Sequence, residues 1–173
     1  TAEAVCVGHP DKLCDLIADT ILDDILLSDK SARTAIEVMA AGHTITVTGE
    51  VSSKRRVDAR YSARRALKKA GYEPWRFRIR VRLRRQSPDI AGGVDTSLEA
   101  RFGENSAFAL QGAGDQGTVY GHATSETGQL MPLPLVLAQN ICRRLDQARE
   151  EGTITGIKSD GKAQVTVAYD DEG

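Results

Sequence analysis

Apolar and polar positions follow two clear rhythms along the chain. Between Pro10 and about Leu27, Leu13, Leu16, Ile17, Ile21 and Ile25 recur at helical spacing, while Asp11, Asp15, Asp19 and Asp23 stand four apart. This predicts an amphipathic helix with an acidic, solvated stripe, and Pro10 suits its first turn. A second helix is predicted from about Val57 to Ala70, ended by Gly71, with Arg60, Arg64, Arg65, Lys68 and Lys69 at its exposed positions. A third runs from Leu135 to about Ala148, with Ala138, Ile141, Cys142 and Leu145 on one face.

The other rhythm has period two. Ala32 to Ala40 and His43 to Val51 are rich in Ile, Val and Thr and are joined at Ala41-Gly42, so they predict two strands. From Arg76 to Arg84 the alternation is strict. Phe77, Ile79, Val81 and Leu83 stand between five arginines, which predicts a strand with one apolar and one cationic face. Thr118 to Ala123 and Gln164 to Tyr169 are further predicted strands, and Thr1 to Val5 reads as a strand already under way, with a few residues expected before it. Between Ser87 and Leu110 no period survives, and a loop of that length is expected to be functional or mobile. The layout predicts an α+β fold, mixed sheets with helices packed on one face.

Composition changes this picture through charge. The 173 residues are 40% hydrophobic with a formal net charge of −1, which excludes collagen-like, coiled-coil and fully disordered chains. The length allows one medium domain or two small ones. The charges are segregated. Lys54 to Arg85 holds fourteen Lys/Arg against two Asp/Glu, a net of +12, and the remainder carries −13. Cys6, Cys14 and Cys142 form no disulfide framework and have no zinc spacing, which fits a reducing, cytoplasmic setting. No apolar run reaches the roughly 20 residues of a membrane span, and the N-terminus has no signal-peptide pattern.

Candidate chemistry begins at Gly8-His9-Pro10-Asp11-Lys12, where the first helix starts. An imidazole, a carboxylate and an ammonium at a helix N-terminus suit a phosphate and a magnesium ion; the plainer reading is an ordinary helix start. The cluster from Gly112 to Gly117, containing Asp115, could bring backbone N–H groups to an anion, yet matches neither the Walker nor the dinucleotide pattern. Glu37 and Glu50 fall on strands, where an inward carboxylate needs a partner and an outward one needs none. Lys162 is unremarkable alone, and His43 and His122 have no partner at ligand spacing.

Seven ordered blocks together are more specific than any one of them. They are Gly-His-Pro-Asp-Lys at 8–12, Thr-Gly-Glu at 48–50, Gln-Ser-Pro-Asp-Ile at 86–90, Gly-Ala-Gly-Asp-Gln-Gly at 112–117, Ala-Thr-Ser-Glu-Thr at 123–127, Met-Pro-Leu-Pro at 131–134 and Asp-Gly-Lys-Ala-Gln-Val-Thr-Val at 160–167. In this order the chain resembles the S-adenosylmethionine synthetase (methionine adenosyltransferase) family from Thr1 to Gly173, most thinly between Ser52 and Arg85. The resemblance implies repeated sheet-plus-helices domains: an N-terminal domain at 1–90, a mobile gating loop at 91–111 and a shortened central domain at 112–173. It implies transfer of the adenosyl group of ATP to L-methionine with release of phosphate and pyrophosphate, assisted by magnesium and potassium.

Residue by residue, the resemblance implies that His9 contacts the triphosphate and that Lys162 reaches phosphate within an ATP-contacting stretch, Asp160, Gly161 and Lys162. It makes Asp11 a magnesium ligand and Glu37 a potassium ligand. It places Glu50 and Gln86 at the methionine site, Glu3 near the active site and Asp115 against the bound substrates. It also implies a cytoplasmic homo-oligomer, dimer or tetramer, packed sheet against sheet, or pairing with a full-length homologue. Four departures stand out: a chain less than half the family's usual length; Val7 in place of the usual Glu; a basic Ser53–Arg56 stretch; and the arginine strand, where the family's is mostly apolar. These leave two competing expectations, an inactive or regulatory homologue and a binding module. The module would use the basic 54–85 face for an acidic partner or, as the lesser case, nucleic acid.

Overall fold

In a computed structural model, residues 1–87, 97–111 and 117–170 are described. The elements in order are β1 (Ala2–Val5), α1 (Pro10–Ser28), β2 (Arg33–Ala41), β3 (Thr44–Ser52), α2 (Ala59–Lys69), a 3-10 turn at Pro74–Arg76, and β4 (Arg78–Arg84). Two short helices, α3 (Leu98–Arg101) and α4 (Ala107–Gln111), precede the long α5 (Leu133–Glu150) and β5 (Lys162–Val165). The arrangement is α+β, with two mixed or antiparallel sheets and helices against them. Among the described residues no helix is long and apolar enough to cross a membrane.

The larger sheet has the order β2-β3-β4. β2 and β3 form an antiparallel hairpin, with Gly42 at φ +54 in its turn. β3 and β4 run parallel, with Ile45 opposite Ile79 and Glu50 opposite Arg84, so α2 is the crossover between them. The apolar face of the sheet presents Ile45, Val47 and Ile79 to α1 and α2, which bury Leu13, Ile17, Ile21, Ile25 and Leu67 against it. Ala59, Ala63 and Ala66 are also buried on α2, and their small side chains let the two helices approach closely. The Asp24 carboxylate fastens the same contact, accepting from the Ser62 hydroxyl at 2.5 Å and from Arg65 at 2.9 Å. Partial burial pushes that carboxyl upward, but the Ser62 and Arg65 donors prevail and hold it below the ordinary carboxylate value.

Helix boundaries follow local chemistry. Asp58 caps α2 by accepting from the N–H groups of Arg60 and Tyr61, both at 3.0 Å. Gly71, at φ +83, ends it and lets the Tyr72 N–H return to the Leu67 carbonyl at 2.9 Å. Within β3, Gly49 has φ +137, and a Cβ there would lie 2.0 Å from the Ala35 carbonyl oxygen, so Thr-Gly-Glu needs its glycine for the hairpin to close.

The smaller sheet pairs β1 antiparallel with β5, Glu3 opposite Gln164 and Val5 opposite Lys162. α5 covers it around Cys6, Cys142 and Ala163. The first strand of the chain therefore belongs to a sheet completed by the last. Two predicted strands come out differently. Thr118–Ala123 is not a strand: Val119 and Tyr120 are 94% and 91% exposed, and no described strand offers a ladder partner there. The last strand is shorter than its composition predicts, running from Lys162 to Val165 antiparallel to β1. The stretch after Ser87 also carries structure that its lack of period hid: Ser97 caps α3 by accepting from the Ala100 N–H, and its hydroxyl donates to the Ala109 carbonyl in α4.

Ile21 and Leu67 have no exposed surface. Ile21→Ala or Leu67→Ala should each lower unfolding free energy by about 2–5 kcal/mol, measured by urea denaturation. Asp29 accepts from the Lys54 N–H at 2.8 Å and from Ser31, which holds its carboxyl at about 2 against an ordinary 3.8. Its stabilising contribution is whole above 3.8 and fades as pH falls through 2, so Asp29→Asn should flatten the acid-unfolding curve in that window.

Candidate functional site

The turn from Cys6 to His9 joins the two sheets, and four backbone groups hold it. The Cys6 N–H donates to the Gly161 carbonyl at 2.9 Å and the Gly8 N–H to the Ser159 carbonyl at 3.0 Å. The Val7 N–H donates to Asp146 of α5 at 3.0 Å, and the Tyr72 hydroxyl to the Gly8 carbonyl at 2.6 Å. A Cβ at Gly8 would lie 2.3 Å from the Ser159 Cβ, and one at Gly161 would lie 2.8 Å from the Cys6 sulfur. The glycines of both motifs are what let the two backbones meet.

This contact brings together residues far apart in sequence. His9 caps α1, its Nδ1 accepting from the Asp11 N–H at 3.3 Å. The Asp11 carboxylate lies 3.7 Å from the same nitrogen. Asp11 is 87% exposed on the first turn. Across the turn, Lys162 pairs with Glu3 at 2.6 Å. The hydrogen bond to Glu3, then the Glu3 charge and that of Asp11, hold Lys162 above its ordinary value and keep it cationic. Lys12 donates to the Val5 carbonyl at 2.7 Å and also borders a cleft of about 280 Å³ shared with Gln139, Arg143 and Asp146. Glu3, His9, Asp11, Asp160, Gly161 and Lys162 thus form one neighbourhood beside the α1 N-terminus, with the Lys162 ammonium as its cation among three carboxylates.

The remaining candidates lie elsewhere. Glu37 and Glu50 project from the helix-free face of the larger sheet, Glu37 opposite Thr48 and Glu50 opposite Arg84. Gln86 follows β4, and its Oε1 is buried without a hydrogen-bond partner. No hydrogen bond or ion pair among the described residues joins these three to the His9 group. Asp115 and the glycine cluster at 112–116 lie outside the described residues, as does 91–96 of the expected gating loop.

No group of three or more His, Cys, Asp or Glu side chains among the described residues could hold a metal. Asp11 alone fits magnesium only in the mode where one carboxylate and several phosphate oxygens share the ion. Glu37 offers a single carboxylate and no cage. Burial and then the Cys142 contact push the Cys6 thiol up to about 12, so it stays protonated and is no nucleophile.

Sequence patterns missed the residues that set this geometry. Tyr72, Asp146 and Ser159 each reach the Cys6–His9 turn from 64 to 151 residues away, and no local spacing marks such contacts. Burial raises the Tyr72 phenol, the Asp160 charge adds to this, and Arg149 opposes it. Arg149 itself has a buried Nε with no partner and a guanidinium packed on Gly71.

Comparison with known proteins agrees with this layout. Residues 1–88 match the model described as S-adenosylmethionine synthetase, N-terminal domain, and residues 110–173 the one described as its central domain. A protein named S-adenosylmethionine synthase from Nocardia farcinica is 42% identical over 178 residues, covering 98% of this chain and 44% of the relative. Proteins of the same name from Desulforudis audaxviator and Corynebacterium urealyticum are each 43% identical, covering 98% and 100% of this chain and 45% of each relative. The chain spans less than half the length of these relatives. With both domain models matched in order, the chain belongs to the S-adenosylmethionine synthetase family.

Proposed function

We propose that this chain takes part in S-adenosylmethionine synthesis from ATP and L-methionine, a methionine adenosyltransferase reaction releasing phosphate and pyrophosphate. One observation carries the reading: the backbone clamp at Cys6–His9 sets His9 and Asp11 beside Asp160, Gly161 and Lys162. In this reading the first 90 or so residues act as the N-terminal domain, 91–111 as a gating loop and 112–173 as part of the central domain.

The reaction is an attack of the methionine sulfur on the ribose 5′ carbon, with the triphosphate as leaving group. It needs alignment and anion stabilisation more than proton transfer. Lys162 and the His9 imidazole bind the triphosphate. Lys162 exchanges its 2.6 Å contact with Glu3 for phosphate oxygens when the nucleotide arrives. The Asp160–Lys162 backbone, fixed through the Cys6 to Gly161 bond, keeps that ammonium in place. Magnesium, held by Asp11 together with the phosphates, would supply further neutralisation of the leaving group.

Glu50 and Gln86 hold methionine, and the orphaned Gln86 Oε1 is suited to accept from its ammonium group. Glu37 contributes to a potassium site. These three lie apart from the His9 group, so the complete site draws them from another chain, a second copy or a full-length homologue, in a cytoplasmic oligomer.

Mass spectrometry of the chain incubated with ATP, methionine, magnesium and potassium should detect S-adenosylmethionine; no product at any protein concentration would remove catalysis from this chain. Calorimetric titration with inorganic tripolyphosphate should show binding that His9→Ala and Lys162→Ala each weaken by about 10- to 100-fold, the size of one lost charge-assisted hydrogen bond. Equal binding by wild type and both variants would remove the phosphate role from these residues.

A further inference from the structure

The parallel crossover leaves β4 at the edge of its sheet. The Arg78 N–H donates to the His43 carbonyl on the β3 side at 2.8 Å. Successive residues of a strand turn their N–H and C=O groups to opposite sides. Arg80, Arg82 and Arg84 therefore face β3 with their backbones, while Ile79, Val81 and Leu83 present theirs to the outer edge. Among the described residues no strand pairs there.

A cleft of about 790 Å³ lies at the carboxyl ends of β3 and β4, lined by Val51 of β3, by Ser53 just after it and by Val81 to Arg85. Its floor is apolar, formed by Ile21 and Ile25 of α1, Val57 before α2, and Val81 and Leu83 of β4. Its rim is cationic, with Arg55, Arg56 and Arg60 on one side and Arg82, Arg84 and Arg85 on the other. Among the described residues Asp58 is the one acid in the lining, and its carboxylate is engaged by two α2 N–H groups. None of the six arginines has an ion-pair partner among the described residues. A charged edge commonly serves only to repel other strands. Here the charges of Arg82 and Arg84 also border an apolar cleft that Val81 and Leu83 of the same strand help to line.

We propose that β4 accepts an extended segment of a partner protein as an added strand, one whose residues alternate between acidic and apolar. Its backbone pairs with Ile79, Val81 and Leu83. Its carboxylates lie beside Arg80, Arg82 and Arg84, as favourable cross-strand pairs do. Its apolar side chains point to the other face, over Ile21, Ile25 and Val57. A nucleic acid fits less well, because no aromatic ring lines the cleft to stack on its bases.

The test uses a fluorescein-labelled peptide, Glu-Val-Glu-Leu-Glu-Val-Glu, measured by anisotropy against the whole chain. Comparators are a peptide of the same composition with its acids contiguous and a single-stranded oligothymidine of equal charge. The alternating peptide should bind at least about tenfold tighter than either. It should slow hydrogen exchange at the Val81 and Leu83 amides. Arg82→Glu with Arg84→Glu, and separately Arg55→Glu with Arg56→Glu, should each weaken it by about tenfold or more, all four positions being exposed and outside the core. Absence of binding, equal binding by the contiguous-acid peptide or the oligothymidine, or unprotected Val81 and Leu83 amides would each overturn the proposal.

Discussion

The structure turns on the contact between the Cys6–His9 turn and the Ser159–Gly161 backbone. Strand β1 is given to the smaller sheet, while α1, starting just after the clamp, belongs to the larger one. The chain must therefore cross between two cores within a few residues. Two features make the crossing close enough. Glycine at position 8 leaves no Cβ where Ser159 lies and glycine at 161 leaves none where the Cys6 side chain lies, and backbone donors and acceptors on each side satisfy one another. Each such bond is worth only about 0.5–1.5 kcal/mol net, but a buried unpaired group would cost more, so the arrangement is held by what breaking it would expose.

The clamp also decides which charged groups meet. Because it fixes the α1 N-terminus, it fixes His9, whose acceptor nitrogen is occupied by the Asp11 N–H, and it sets Lys162 within reach of Glu3. An ammonium tied to one carboxylate at a half-exposed position loses little on exchanging it for another anion, because both states leave it paired. That is a suitable resting state for the phosphate role proposed for Lys162. Tyr72 and Asp146 act on the backbone instead. They tie the same turn to the crossover after α2 and to α5, so a shift in either core is felt at His9.

Much of this was legible in the sequence where the chemistry is periodic. Leu13, Ile17, Ile21 and Ile25 marked the buried face of α1 correctly, and the strict arginine alternation marked β4. The residues of the phosphate neighbourhood were legible only through a resemblance carried by seven ordered blocks. What spacing could not show was anything set by pairing across the chain. Thr118–Ala123 has a strand-like composition but no ladder partner among the described residues. Tyr72, Asp146 and Ser159 bear no local mark of their contact with residues 7 and 8. The separation of Glu37, Glu50 and Gln86 from His9 follows from which sheet each strand joins, a property of topology and not of any window of sequence.

The parallel register of β3 and β4 explains why the basic segment is not neutralised within the chain, although the whole carries a net charge of only −1. It sets Arg84 opposite Glu50 and Arg82 opposite Thr48, with Glu37 one strand further away. The open face thus holds two glutamates, on β2 and β3, against the β4 arginines at 78, 80, 82 and 84, and none of those arginines is ion-paired among the described residues. Of the acids that balance the total, Asp11, Asp15, Asp19 and Asp23 lie on the solvated side of α1, beyond the apolar layer between helix and sheet, and the others are spread along the chain outside the basic segment. Charge balance in the sum is therefore not charge balance in space. A sheet face with this excess packs against another surface only if that surface brings carboxylates or phosphates, since burying unpaired guanidinium groups costs several kcal/mol each by the usual order of magnitude. The arginine strand thereby restricts what can cover this face far more than the fold itself does.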